Sequence, residues 1–540
     1  MKKIILVFLA FLVLSCADNK KNEAEQPVQD TINASEEPEY LVLDSKFINK
    51  DSLMAPFAEE LANFSEERYS EVKPLIFDQN IPEIQNAIQS GALTYEELAL
   101  FYLKRIQKFD RNNSRSLNSV IFLNPNLLKE ARAKDQASNE GQKHPIFGIP
   151  VLLKDNINTE NMPTTAGAVA LQNNQTDDAF IVEKLKENGA LILGKANLSE
   201  WAYFFCGECP SGYSAVGGQT LNPYGRKILD TGGSSSGSAV AVAANLAPVA
   251  VGSETSGSIL SPSSQNSVVG LKPTIGVLSR SGIIPISSTL DTPGPITKSV
   301  IDNAILLSAM AGNDPEDPTT KNTTVVSDYY TSLENSSLDG KRFGAIEGLM
   351  EDSLYVRAVN DLKNAGAEVI VYKAEEIELP NFLRLLNLDM KKDLPAYFQN
   401  YGGELEVSSV EDVYRYNTQD SLTRAPYGQS LFEGIMKDSA TEQEFTAVKD
   451  TLRLNGREFF DVPMQEHNLD AIISINNYHA GYAAVAQYPG ITVPMGYGED
   501  GAPRGLTIFA KPFEEQQLLK WAGEFETVSQ RRISPENYNY

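Results

Sequence analysis

Cysteine and histidine are scarce in this chain of 540 residues, with three of each. That scarcity narrows its chemistry. Zinc sites draw on paired Cys or His ligands at short spacing, yet His144, His467 and His479 are scattered and form no HExxH pattern. Cys206 and Cys209 make a CxxC pair, but a metal site would need a second pair, and the remaining cysteine is Cys16. No metal and no cofactor is expected. A Ser-His-Asp triad would have to recruit His144 or His479. Positive charge is short as well: 46 Lys and Arg against 71 Asp and Glu leave a net charge of −25. Such a surface repels phosphate backbones and anionic lipid heads, so a nucleic-acid partner is not expected. Long apolar runs are missing apart from residues 4–14, which are too few to span a bilayer comfortably.

That one run has a context. Met1-Lys2-Lys3 precedes it and Ser15-Cys16 follows it, the order of a secretory signal. The Val-Leu-Ser-Cys ending resembles a bacterial lipobox, which makes Cys16 the candidate lipidation site. Residues 1–15 then read as a lipoprotein-type signal peptide and the polar residues 16–39 as a disordered tether. The expected placement is an exported bacterial lipoprotein of the cell envelope, touching membrane through its N-terminal lipid anchor alone. In an oxidising compartment, Cys206 and Cys209 are expected to form a disulfide that braces their Phe/Gly/Pro/Ser/Tyr loop. Oligomeric state is not legible.

Within residues 40–540, apolar periodicity alternates between helix and strand. Residues 81–107 read as helical, with Thr94 and Glu97 as a capping box and Leu98, Phe101, Tyr102 and Ile106 on one face. Short apolar runs at 145–153, 190–193 and 248–251 read as buried strands, and 181–187, 238–246 and 300–312 as helices. Further strands are expected at 471–475, 491–493 and 506–510. This alternation predicts an α/β fold. Residues 313–465 are more charged and less patterned, and read as a variable cap or insert.

What is abundant is serine and glycine in two clusters. Residues 231–239 read TGGSSSGSA and residues 252–258 read GSETSGS, joined by a small apolar run. Glycine lets backbone N–H groups approach a ligand, and serine supplies hydroxyls that a nearby base can activate. Gly232 to Gly237 has the glycine spacing of a P-loop, but Ser238-Ala239 stand where Lys-Ser/Thr is required. Lys154 follows an apolar run, and a buried lysine loses solvation of its charged form and becomes a base near neutral pH. Base, hydroxyls and N–H donors are the parts of an acyl-transfer site. From these residues alone, Ser234, Ser235, Ser236 and Ser238 in the first cluster, and Ser253, Ser256 and Ser258 in the second, are all candidates.

Seven ordered motifs narrow that choice. GIPVLLKDNI (148–157), PTTAG (163–167), GKANLSEW (194–201), TGGSSSGSA (231–239), GSETSGSI (252–259), GLKPT (270–274) and DTPGP (291–295) resemble the amidase signature family, most densely over 140–312. The resemblance implies the amidase signature fold, a mixed, mostly parallel twisted sheet flanked by helices on both faces. It also implies a Ser-Ser-Lys triad in which Lys154 is the base, Ser234 the bridge and Ser258 the nucleophile. The Gly233–Ser234 peptide bond is implied to be cis. The N–H groups of Thr255, Ser256, Gly257 and Ser258 are expected to form the oxyanion hole. Glu254 stands where many members carry Asp, and Ile259-Leu260 where many carry Arg. That variant resembles the branch of bacterial peptide amidases, in which Asp often stands where this chain has Ser256. The implied activity is hydrolysis of a small-molecule or peptide amide, with the C-terminal amide of peptides as one substrate class. A fatty-acyl or aryl amidase, and a lipid-tethered binding protein without turnover, are the alternatives.

Overall fold

Strands that helices cover on both faces can be apolar without alternation, and the runs flanked here by glycine and proline are of that kind. The computed structural model describes residues 40–540, apart from residues 112, 139, 140, 322 and 323. Eleven strands form its main sheet: β1 (Val120–Leu123), β2 (Pro150–Lys154), β3 (Leu191–Ala196), β4 (Val249–Glu254), β5 (Val269–Lys272), β6 (Thr292–Thr297), β7 (Arg342–Ile346), β8 (Glu368–Tyr372), β9 (Ala471–Ile475), β10 (Gly490–Tyr497) and β11 (Pro503–Phe509). Their order across the sheet is β1-β3-β2-β4-β6-β5-β10-β11-β9-β7-β8. Two blocks are parallel, β3-β2-β4 and β9-β7-β8, and antiparallel pairings join them through the middle. The α/β architecture is therefore a mixed sheet flanked by helices. The signal-like residues 1–15, Cys16 and residues 16–39 lie outside the described residues. Among the described residues no helix is long and apolar enough to cross a membrane.

The parallel block sets up the site. In β2 and β4 every residue is buried. Val151 pairs with Val249 and Leu153 with Val251, so Lys154 and Ser253 emerge side by side at the carboxyl ends of their strands. Open α/β sheets place their reactive loops at such an edge. Antiparallel β6 returns along β4, with Glu254 opposite Thr292, and so carries Asp291 to the same edge. The helix Ser236–Ala243 joins the first Gly/Ser cluster to β4 and is buried along its whole length.

Elsewhere the structure differs from the sequence expectation. Residues 81–107 divide into two helices, Ile81–Gln89 and Tyr95–Phe109, because Gly91 takes φ +76°, and the Thr94–Glu97 capping box starts the second. Residues 313–465 are not all cap: β7 and β8 belong to the main sheet. Helices Phe382–Asn400, Val410–Thr418, Ser430–Lys437 and Glu442–Glu466 follow. Buried apolar side chains of these helices, among them Leu385, Met390, Val413, Phe432 and Leu452, share a core with Trp201, Phe205 and Ile284.

Close packing at the first cluster yields a test. A Cβ on Gly237 would lie 2.5 Å from the carbonyl oxygens of both Asn197 and Ser119. Backbone cannot yield as a flexible side chain can. Gly237→Ala is expected to destabilise the protein by about 1–3 kcal/mol, read as a lowered urea midpoint at unchanged m value.

Candidate active site

Lys154 is fully buried. Its Nζ lies 2.8 Å from Ser234 Oγ and donates to the Ser253 carbonyl oxygen and Ser253 Oγ, each at 3.0 Å. Burial pulls its pKa down to about 7, and the carboxylates of Asp291 and Glu254 oppose that fall. Such surroundings favour the neutral amine. Ser253 is held in turn: Asn156 Nδ2 donates to its Oγ at 2.9 Å.

The two Gly/Ser clusters meet through Ser235. Its N–H donates to the Ser258 carbonyl oxygen at 3.1 Å, its hydroxyl donates to the Ser253 carbonyl oxygen at 3.1 Å, and the same Oγ accepts the Ser253 N–H at 3.2 Å. Ser234 is the residue before it, in a cis peptide bond with Gly233. The Ser234 carbonyl accepts from Ser199 N–H at 3.1 Å. The expected trio of Lys154, Ser234 and Ser258 thus comes from three separated segments onto one patch of backbone. Ser258 is 9% exposed.

Glu254 shapes the loop that carries Ser258. Its Oε1 accepts from Gly257 N–H at 2.8 Å, and its Oε2 accepts from Ile259 at 2.7 Å and Leu260 at 3.0 Å. Gly257 takes φ +90°, and a Cβ there would lie 3.1 Å from Asn477 Nδ2, so glycine suits the turn twice over. The Glu254 contact corrects one expectation: the Gly257 N–H is already bonded and does not face an oxyanion. The N–H groups of Thr255, Ser256 and Ser258 donate to no acceptor among the described residues. Thr255 Oγ1 donates to Asp291 Oδ1 at 2.5 Å, and Asp291 Oδ2 accepts the N–H groups of Ile286 and Ser287. Burial raises the Asp291 pKa to about 6. Sequence reasoning missed Asn156 and Asp291 as parts of this site, although both lie inside the family-like motifs.

Histidine is kept apart from these serines. His479 Nδ1 shares a hydrogen bond with Ser474 Oγ at 2.6 Å, its ring stacks on Phe459, and burial lowers its pKa to about 4. His144 Nδ1 accepts from Ile146 N–H. Cys206 and Cys209 lie sulfur to sulfur with Cα atoms 5.8 Å apart, a span that a disulfide bridges. They are buried in the core shared with the cap helices. Among the described residues, no group of three His, Cys, Asp or Glu is arranged to hold a metal ion.

A cavity of about 190 Å³ adjoins the cluster through Asn156, Ser253 and Thr255, one hydrogen bond from Lys154. Ile283, Ile284, Pro285 and Ile286 form one wall, and Asp393, Tyr397 and Tyr401 from and after the helix Phe382–Asn400 form another.

Comparison with known proteins identifies the family of the chain. The family model described as Amidase matches residues 97–474. A probable amidase of Arabidopsis thaliana is 37% identical over 485 residues, 85% of this chain and 92% of its own. The crystal structure of an amidase family protein from Bacillus anthracis superposes with a TM-score of 0.87 at 38% identity, over 92% of this chain and 100% of that one. Native peptide amidase from Stenotrophomonas maltophilia gives 0.80 at 38% identity, over 85% and 99%. Similarity extends to glutamyl-tRNA(Gln) amidotransferase: one of its subunits, from Exiguobacterium sibiricum, is 30% identical over 84% of this chain and 98% of its own. These relatives also correct the placement expected from residues 1–16. The plant amidase, with matching amidases of Schizosaccharomyces pombe and Arthroderma benhamiae, is a eukaryotic protein and not a bacterial exported lipoprotein. The cell-envelope reading is withdrawn.

The Glu254 contacts predict a measurable cost. Glu254→Ala leaves three N–H groups of the Ser258 loop without an acceptor, and hydrogen bonds to charged groups contribute about 1.5–3 kcal/mol each. Amide turnover is expected to fall at least about 100-fold together with a lowered thermal midpoint. A variant with wild-type turnover would show that the loop holds its shape without the carboxylate.

Proposed function

The chain belongs to the amidase family, in its amidase-signature branch, and we propose that it cleaves a carboxylic amide with Ser258 as nucleophile, Ser234 as bridge and Lys154 as base. The observation that carries this reading is the 2.8 Å contact of the fully buried Lys154 Nζ with Ser234 Oγ. A neutral amine has two N–H groups and one lone pair. The Ser253 carbonyl and hydroxyl oxygens take the two N–H groups, which aims the lone pair at the Ser234 hydroxyl. Lys154 then takes the Ser234 proton as Ser234 takes that of Ser258, and Ser258 Oγ attacks the amide carbonyl. The free N–H groups of Thr255, Ser256 and Ser258 receive the developing oxyanion. The proton on Lys154 returns through Ser234 to the departing amine, leaving an acyl-enzyme on Ser258. Water activated by the same pair releases the acid.

As substrate we infer the C-terminal amide of peptides. This rests on likeness to the Stenotrophomonas maltophilia peptide amidase and on the Glu-Thr-Ser-Gly-Ser-Ile form of the second cluster. Two outcomes test the mechanism. Ser258→Ala is expected to lower kcat by about 10⁴-fold or more, and to abolish covalent labelling by a fluorophosphonate; labelling of the variant at the wild-type rate would place the nucleophile elsewhere. A protein that only binds amides would leave even the wild type unlabelled. The second outcome concerns pH. Because Lys154 acts as the neutral amine, kcat/KM is expected to fall roughly tenfold per unit as pH drops below about 7. The relevant charges around it are Asp291 and Glu254. A flat profile from pH 5 to 8 would remove Lys154 as base.

A further inference from the structure

Toward Lys154, Ser253 acts only as an acceptor, and its hydroxyl hydrogen is left over. A serine Oγ has two lone pairs and one O–H. One lone pair takes an N–H of Lys154 at 3.0 Å, and the other takes Asn156 Nδ2 at 2.9 Å. The Asn156 amide cannot turn over to receive the hydrogen instead. Its Nδ2 also donates to the Ile284 carbonyl at 3.3 Å, and reversal would set Oδ1 against that oxygen. The main chain of Ser253 is engaged as well: its N–H donates to Ser235 Oγ, and its carbonyl accepts from Lys154 Nζ and Ser235 Oγ. Ser253 Oγ donates to no acceptor among the described residues.

Ser253 lines the cavity and is 7% exposed. Other hydroxyls of the same wall are committed to protein acceptors. Thr255 donates to Asp291, Ser287 to Asp389, Thr292 to the Pro293 carbonyl and Tyr397 to Asn158. Arg280 is committed to Asp317 and to the Ser288 carbonyl. With its lone pairs turned inward to Lys154 and Asn156, Ser253 has the cavity side left for its O–H. A donor without an acceptor is costly to keep, and a ligand oxygen removes that cost. Ile283, Ile284 and Ile286 make the wall beside it apolar, so a single hydroxyl there can orient a ligand.

We propose that the Ser253 hydroxyl donates to an oxygen acceptor on the acyl side of the amide substrate, such as the carbonyl of the preceding peptide bond. The proposal rests on the amidase reading above. An amide oxygen held at the Thr255 N–H brings its acyl part beside Ser253, which stands two residues earlier in the chain. A peptide amide carries such a carbonyl, whereas a simple alkyl amide does not.

The test compares two amides of one shape. N-acetyl-leucinamide carries the acceptor, and 4-methyl-2-propylpentanamide has propyl in place of the acetamido group. In ammonia release the wild type is expected to favour the first at least about tenfold in kcat/KM. In Ser253→Ala that ratio is expected to fall towards one. In Ser253→Thr, which keeps a hydroxyl, it is expected to stay near the wild-type value. Loss of the Lys154 acceptor alone would slow both amides alike, and an unchanged ratio in Ser253→Ala would overturn the proposal. A wild-type ratio of one or less would also overturn it. If Ser253→Ala does not fold, Ser253→Cys, a weak donor, is judged by the same ratio. Calorimetry of the two amides with the wild-type protein reads the contact without turnover, and equal binding would overturn it. Tighter binding of N-acetyl-leucinamide with no ammonia from any amide would sustain the Ser253 contact and overturn the amidase reading instead.

Discussion

Lys154 ends a strand covered on both faces, so its amine has no water to support a positive charge and must be satisfied by protein atoms alone. Those atoms come from two places. Ser253 offers two oxygens from the neighbouring parallel strand, and Ser234 offers one from the first Gly/Ser cluster. The parallel pairing of β2 with β4 is what brings Lys154 within one residue of the level of Ser253. A slip of one residue would turn every side chain of the strand to the opposite face. Sheet register and the protonation state of one amine are thus a single constraint, because the lysine can be neutral near pH 7 only where the sheet buries it.

Serine hydroxyls are flexible, so a site made of them depends on backbone held from outside. Glu254 does this with one carboxylate spread over three N–H groups of the Ser258 loop, and Ser235 does it with three hydrogen bonds that bind one cluster to the other. Neither residue needs to touch a substrate. Their effect is to fix where N–H groups point before any substrate arrives, which is how a preorganised site stabilises developing charge. Gly257 illustrates the division of labour. Its N–H serves the loop through Glu254, while the amides on either side, Ser256 and Ser258, have no acceptor among the described residues.

Much of this frame was legible in the sequence. The runs that became β2, β3 and β4 are apolar throughout because helices cover both faces, and the capping box at Thr94 and Glu97 began a helix as read. β7 and β8 were not legible. They are five residues each, and β8 is only partly buried at the sheet edge, so neither carries a long apolar signal; β7 finds its inner neighbour, β9, more than a hundred residues on. Asn156 and Asp291 were hidden for another reason. A lone amide or carboxylate looks the same in sequence whether it meets solvent or a ring of backbone N–H groups, and only the fold decides which.

The buried lysine cluster and the walls of the adjoining cavity come from different parts of the chain. Lys154, Ser234 and Ser258 sit on the sheet edge and its loops, whereas Asp393 and Tyr397 reach the cavity from a cap helix that packs through its own apolar core. A cap held in that way can change its cavity-facing residues without disturbing the buried lysine. Asn156 is where the two parts meet. Its Nδ2 holds Ser253, which holds Lys154, and the residue lines the cavity that the cap completes. Two hydrogen bonds, through Ser253, thus connect a residue of the cavity wall to the amine of Lys154.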